Sequence, residues 1–244
     1  MAARLNDVIA FDPDPSAHVL NIKDLFKQLQ KHNRKISPSK AKIGATDADF
    51  LGHTISPAAI RPNASNVAAL TKMPMPSDLK QLRSLLGGLS YYRKFLADKV
   101  TRIRPITSLL KQGVKFVFTP SMETIVRTLL EELSAPPVLV YPDWDAVADD
   151  SRPYLLYCNA SVDGFGGTLE QEQTDGSILP VVFISRATLE SERHWTPLDL
   201  VAGRIVWSIK RLRGYLWSTT FRIFSDHKAL ESLTKVAEHN PRVQ

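Results

Sequence analysis

The sequence predicts an α/β (α+β) chain, helical through its middle and built on a mixed sheet toward its end. Three observations carry this. "YLLYCNASVDGFGGTLEQ" at 154–171 reads as strand, turn and strand, and a third strand at 180–185 continues the hairpin order. A helix at about 197–217, a strand at 221–225 and a further helix from Lys228 come next, which is the order of a mixed sheet carrying helices. Upstream, between 77 and 133, apolar residues recur at helical rather than alternating spacing.

Taken in order, "LNDVIAF" is a short apolar strand from Leu5 to Phe11 with no partner before it, and "DPDPS" at 12–16 interrupts the chain. Residues 17–33 then place Val19, Ile22, Leu25, Phe26 and Leu29 on one helical face. Short strands are expected around Ile36, Ile43, Phe50–Leu51 and Ile55, punctuated by proline and glycine. In "MPMPSDLKQLRSLLGGLSYYRKFLADKV", Ser77 or Asp78 caps a helix whose Leu79, Leu82, Leu86 and Leu89 point one way. Gly87 and Gly88 cost that helix up to about 1 kcal/mol each against alanine, and close packing on a neighbouring helix is the expected reason. "RIRPITSLLKQG" is a second short helix, and "SMETIVRTLLEEL" a third with Met122, Ile125, Val126, Leu129 and Leu130 inward. A strand at Val138–Tyr141 lies in a linker rich in proline and aspartate, and a domain boundary is expected near 150. In the long helix, Leu198, Ala202, Ile205, Ile209, Leu212 and Leu216 form the expected core stripe, with Arg204, Lys210, Arg211 and Arg213 off it.

Lys plus Arg number 31 against 25 acidic residues, a net charge of +6 that favours polyanions over acidic substrates as partners. A single cysteine excludes an internal disulfide and points to a reducing compartment, cytoplasm or nucleus. No apolar run reaches the roughly 18 residues of a membrane span, and "MAARLNDVIAFDPDP" has no secretory core, so neither membrane nor targeting peptide is expected. Lys80, Arg83, Arg93 and Lys94, interleaved with Tyr91 and Tyr92, form either a solvated basic face or a nucleic-acid face.

Phosphodiester hydrolysis by two magnesium ions needs several carboxylates from different elements, converging on ions about 3.5–4 Å apart. In this arrangement the available positions are the end of the first strand, the start of the long helix and the end of the fourth strand. They hold Asn159, Val201 (with Asp199 nearby) and Asp226. Only Asp226 suits a metal, and it equally suits the cap of a following helix. Asp163 before glycine reads as a turn residue, and Asp199 as a first-turn charge complementing its helix dipole.

These segments carry a resemblance. "YCNASVDGFGGTLEQE", "FISRATLESERHWTPLDLVAGRIVWSIKRLRGYL" and "FRIFSDHKALESL" resemble the RNase H domain of gypsy-type LTR-retrotransposon polyproteins. "LNDVIAF" resembles the end of the reverse-transcriptase palm signature, and "SPSKAKIGATDADFLGHTIS" its primer-grip region. "DLKQLRSLLGGLSYYRKFL" resembles the thumb, and "IRPITSLLKQG" the segment directly after the thumb. The resemblance implies a palm remnant with primer grip at 1–62, a helical thumb at 63–120, a connection at 121–150 and a C-terminally truncated RNase H-like domain at 151–244. It implies a fragment of an RNA-directed DNA polymerase and ribonuclease H, with Mg2+ as cofactor. The implied partners are an RNA–DNA hybrid or a DNA or RNA duplex, and the rest of the polyprotein.

It also implies losses. The palm signature is tyrosine, any residue and two aspartates, whereas this chain has Arg4, Leu5, Asn6 and Asp7, so only Asp7 is kept. In the RNase H domain the first aspartate is Asn159, the helix glutamate is Val201, Asp226 is kept, and the fourth carboxylate would lie beyond Gln244. Asn159 offers a carbonyl without charge and Val201 offers nothing. Weak or absent metal binding and impaired catalysis are therefore expected, or else a non-catalytic nucleic-acid-binding module.

Overall fold

A computed structural model describes residues 2–4, 7–12, 14–135 and 139–225, arranged as two compact units, 1–57 and 58–244. In the first, β1 (Ala2–Arg4) pairs antiparallel with β2 (Asp7–Ile9), so the apolar N-terminal strand does have a partner. Helix α1 (Pro15–Lys31) begins where Asp14 accepts from the backbone N–H groups of Ser16 and Ala17. A hairpin comes next, β3 (Ala48–Phe50) and β4 (His53–Ile55). Its two-residue loop, Leu51 and Gly52, takes positive φ at both positions, the primed turn that matches strand twist. The strands expected at Ile36 and Ile43 are absent among the described residues. Both isoleucines are exposed, each isolated among lysines and small polar residues with no alternating apolar face to bury.

The second unit opens with β5 (Ala59–Pro62) and α2 (Ala64–Thr71), capped by Asn63, neither marked by periodicity in so short a span. Helix α3 (Leu79–Tyr91) is capped by the Asp78 carboxylate, which accepts from the Gln81 N–H at 2.8 Å. A 3-10 turn (Arg93–Phe95), α4 (Lys99–Arg102), α5 (Arg104–Thr107) and a second 3-10 turn (Ser108–Leu110) lead to α6 (Pro120–Ser134). Leu82, Leu89, Leu96, Ile106, Val126 and Leu129 are wholly buried where these helices meet. At about 25 cal/mol per Å² of apolar surface, each such side chain contributes about 2 kcal/mol toward holding the bundle.

Strand β6 (Leu139–Val140) pairs with β5, and α7 (Trp144–Ala148) comes after it. The sheet proper is a meander, β7 (Tyr154–Ser161), β8 (Gly164–Glu172) and β9 (Ile178–Ala187). Helix α8 (Pro197–Arg211) and the short α9 (Arg213–Leu216) carry the chain back to β10 (Phe221–Phe224), parallel to β7, in the order β10-β7-β8-β9. The mixed sheet expected from the strand order is therefore present, and no described helix is long and apolar enough to cross a membrane.

Helices α2 to α6 and the sheet lie in one compact unit that runs across position 150. One reason is Gln171. Its side chain is wholly buried, accepts from the Asp143 N–H at 2.9 Å, and donates to the carbonyls of Asp143 and Arg152 at 3.1 and 3.0 Å. It thereby ties the linker ahead of the sheet to β8. Gln171→Leu keeps the volume and strands three backbone groups. A loss of about 1–2 kcal/mol in chemical denaturation is expected, and an unchanged midpoint would show that water replaces the amide freely.

Candidate functional site

Two surfaces of the second unit collect the residues singled out in the sequence. The first is the outward side of α3. Because Leu82, Leu85, Leu86 and Leu89 are buried, the opposite side presents Lys80, Arg83, Gly87 and Tyr91 at helical spacing. Arg93 is exposed on the next turn. Lys94 is half-buried, its ammonium 5.1 Å from the Phe95 ring, and burial lowers its pKa. Lys99 lies further in, 3% exposed, and donates to the Ser90 hydroxyl at 2.6 Å. Desolvation first and the Arg93 charge second bring its pKa down to about 8.

Tyr92, expected on this face, is not on it. It is 3% exposed, its ring tilted on Phe95, and burial raises its hydroxyl pKa against a hydrogen bond from Asn66. Tyr91 stands outward in its place, 52% exposed and edge-on to Tyr92. The two glycines also divide. A Cβ on Gly88 would come within 2.5 Å of Leu70 Cδ2 in α2, so its smallness serves helix packing. A Cβ on Gly87 would meet nothing within 4 Å, and no described neighbour asks for glycine there.

The second surface is the end of the sheet where β7 and β10 run out. Asp226 and Asn6 lie outside the described residues, as does the helix expected from Lys228. Asp7 begins β2 in the other unit. Asn159 is exposed near the end of β7, and Val201 is buried in the first turns of α8. They lie on opposite faces of the sheet. Side chains alternate along a strand, and Cys158 packs into the core with Ile205, Ile209 and Leu212 of the α8 side. Asn159 therefore points away from α8, and its amide donates to the Asp98 carboxylate at 3.4 Å.

That contact is built by glycines. Asn159 is paired across the strands with Gly166, and a Cβ on Gly166 would run into Asp98 Oδ1. A Cβ on Gly164 would meet Thr101 Oγ1 at 2.7 Å. Asp98 itself takes the left-handed conformation (φ 46, ψ 27) that aspartate tolerates better than most residues. Arg104 and Asp163 close the arrangement with an ion pair. Segment 98–104 is thus seated on the flank of β8. Beside it a pocket of about 390 Å³ opens, with Asp98, Asn159, Thr168 and the stacked rings of Tyr157 and Phe224 among its walls.

On the α8 side the finding is Arg204. Expected off the core stripe, it is 1% exposed, and its Nη2 donates to the Ser225 hydroxyl at 2.9 Å. Val201, Arg204 and Ser208 form the inward row, one turn apart, while Ile205 and Ile209 are partly buried beside it. Desolvation raises the Cys158 thiol pKa, with Ser208 and the Arg204 charge opposing. Asp199 sits in the first turn as expected, exchanging hydrogen bonds with the capping Thr196. A divalent cation does not fit the described residues here: the helix supplies valine, the strand amide faces the other way, and a buried guanidinium already binds Ser225 at the exit of β10.

Residues 149–244 match the RNase H-like domain found in reverse transcriptase. Over 98% of its length the chain is 31% identical to the retrovirus-related Pol polyprotein from transposon 297 of Drosophila melanogaster, covering 22% of that protein. It is 28% identical, over 93% of its length, to the transposon Tf2-3 polyprotein of Schizosaccharomyces pombe, covering 17% of it. The chain thus spans about a fifth of these relatives. Among solved structures, the foamy viral protease-reverse transcriptase dRH in complex with double-stranded DNA superposes with a TM-score of 0.74 at 18% identity, over 95% of this chain and 43% of that one. The foamy viral protease-reverse transcriptase in complex with RNA/DNA hybrid gives 0.73 at 18% identity, over 95% and 33%. At such identities the likeness is one of fold.

Proposed function

We propose that this chain, whose residues 149–244 form an RNase H-like domain of the reverse-transcriptase kind, is the duplex-gripping segment of a gypsy-type retrotransposon polyprotein and does not itself cleave the strand it holds. The observation that carries the grip is Gly87. An exposed mid-helix glycine costs about 1 kcal/mol against alanine, and no described neighbour requires it. It leaves bare backbone flanked by Lys80, Arg83 and Tyr91, where a nucleic-acid backbone can approach closely while the cations neutralise phosphates. The net charge of +6 and the duplexes bound by the structural neighbours agree with this. RNA-directed DNA synthesis belongs, on this reading, to the longer polyprotein with which the chain would act.

Absence of cleavage rests on the strand-end chemistry. Hydrolysis needs several anionic oxygens converging on paired cations, and beside the kept Asp226 the other positions, Asn159 and Val201, supply an amide and a hydrocarbon, with the positive charge of Arg204 one turn from Val201. The test uses one labelled RNA–DNA hybrid for both properties. Anisotropy should show binding at low salt that weakens steeply as salt rises. The same mixture with magnesium or manganese should release no more product than with chelator. No binding at low salt would remove the grip, and metal-dependent turnover would remove the second half of the proposal.

A further inference from the structure

We infer that Arg204 is a built-in cation, holding together the strand end at which relatives would need divalent ions, so that the sheet of this chain is indifferent to metal. The inference rests on the reading of this strand end as the hydrolytic position. Its physical basis is separate. Arg204 ranks among the largest fully buried side chains of the described residues, in the inward row of α8 with Val201 one turn before it and Ser208 one turn after. A buried charge persists only where groups around it compensate for lost hydration. The Ser225 hydroxyl, at the exit of β10, receives its Nη2, and the Cys158 thiol on β7 lies within its field. The guanidinium therefore ties helix α8 to the exit of β10, the strand beside β7 in the sheet. Here Val201 offers no helix carboxylate, and Arg204 places a positive charge one turn away from it.

The experiment is thermal denaturation and amide exchange on the full chain, with chelator and with millimolar manganese. Wild-type protein should melt at the same temperature in both. Arg204→Met keeps the length and loses the charge. Exchange protection of 154–159 and 221–224 should fall about tenfold or more, while Arg204→Lys, which keeps the charge, should retain most of it. A saturable rise in Tm with manganese in the wild type overturns the inference, as does methionine protecting those strands as well as arginine. Should Arg204→Met fail to fold, Val201→Glu decides. Its carboxylate should pair with Arg204 and leave the protein blind to manganese, whereas manganese binding by that variant defeats the inference. A chain that grips no duplex yet melts independently of metal fails the proposed function and keeps this one.

Discussion

Replacing Lys80 and Arg83 together by glutamate is expected to weaken binding of an RNA–DNA hybrid about 100-fold at low salt. Each cation that neutralises a phosphate releases condensed counterions, so losing two flattens the dependence of log K on log salt by about two units of slope. Reversal of sign adds repulsion, which is why the combined loss reaches two decades. Both side chains are exposed on α3, on the side away from its buried leucines, so the fold should survive with its melting temperature nearly unchanged. Gly87→Ala supplies a control of opposite kind. It removes a helix-weakening glycine and should stabilise the unit by up to about 1 kcal/mol, while its methyl lowers duplex affinity several-fold. Stability and binding moving in opposite directions is a signature that a purely structural glycine cannot give. If the double glutamate variant binds as tightly and with the same salt slope as the wild type, α3 is not the duplex face.

Much of the fold was legible in sequence because its periodicities are strong. The meander of β7, β8 and β9 arises from apolar strands separated by turn residues, and α3 and α6 from leucines recurring at three and four. The elements that escaped did so for physical reasons. Helix α2 has eight residues with Val67 alone buried, and α7 has five, so neither builds a readable stripe. Charged residues are assigned to solvent by default, and Arg204 breaks that default because its partner hydroxyl at Ser225 is 21 residues away. The same holds for Asp98, which meets Asn159 across 61 residues of chain. Gly164 and Gly166 carried the available signal: glycines within a strand mark close approach by something else. In the sequence they read only as members of a hairpin.

That meeting of Asp98 and Asn159 makes a second large effect, opposite in sense to a simple repair. Placing a carboxylate there by Asn159→Asp should not increase hydrolysis of an RNA–DNA hybrid. It should place a second carboxylate against Asp98, where an amide now donates, in a seat closed by Gly166 below and by the Arg104–Asp163 ion pair beside it. Two carboxylates at that distance cannot both stay ionised without cost, and a penalty of about 2 kcal/mol at neutral pH is expected. It should register as faster amide exchange in 97–104 and 163–167. The sign with pH is fixed by the cause. In the folded variant the shared site holds a proton more tightly than the unfolded chain does. The variant therefore approaches wild-type stability as pH falls through the carboxylate range and loses ground as pH rises through it. Asp98→Asn in the same chain exchanges amide for acid across the contact, and should recover most of the loss. Equal stability of Asn159→Asp and wild type at neutral pH, or no recovery in the exchanged pair, would mean that segment 98–104 is held by Thr101 and Arg104 alone. In that case the amide at 159 answers to nothing in the seat beside it.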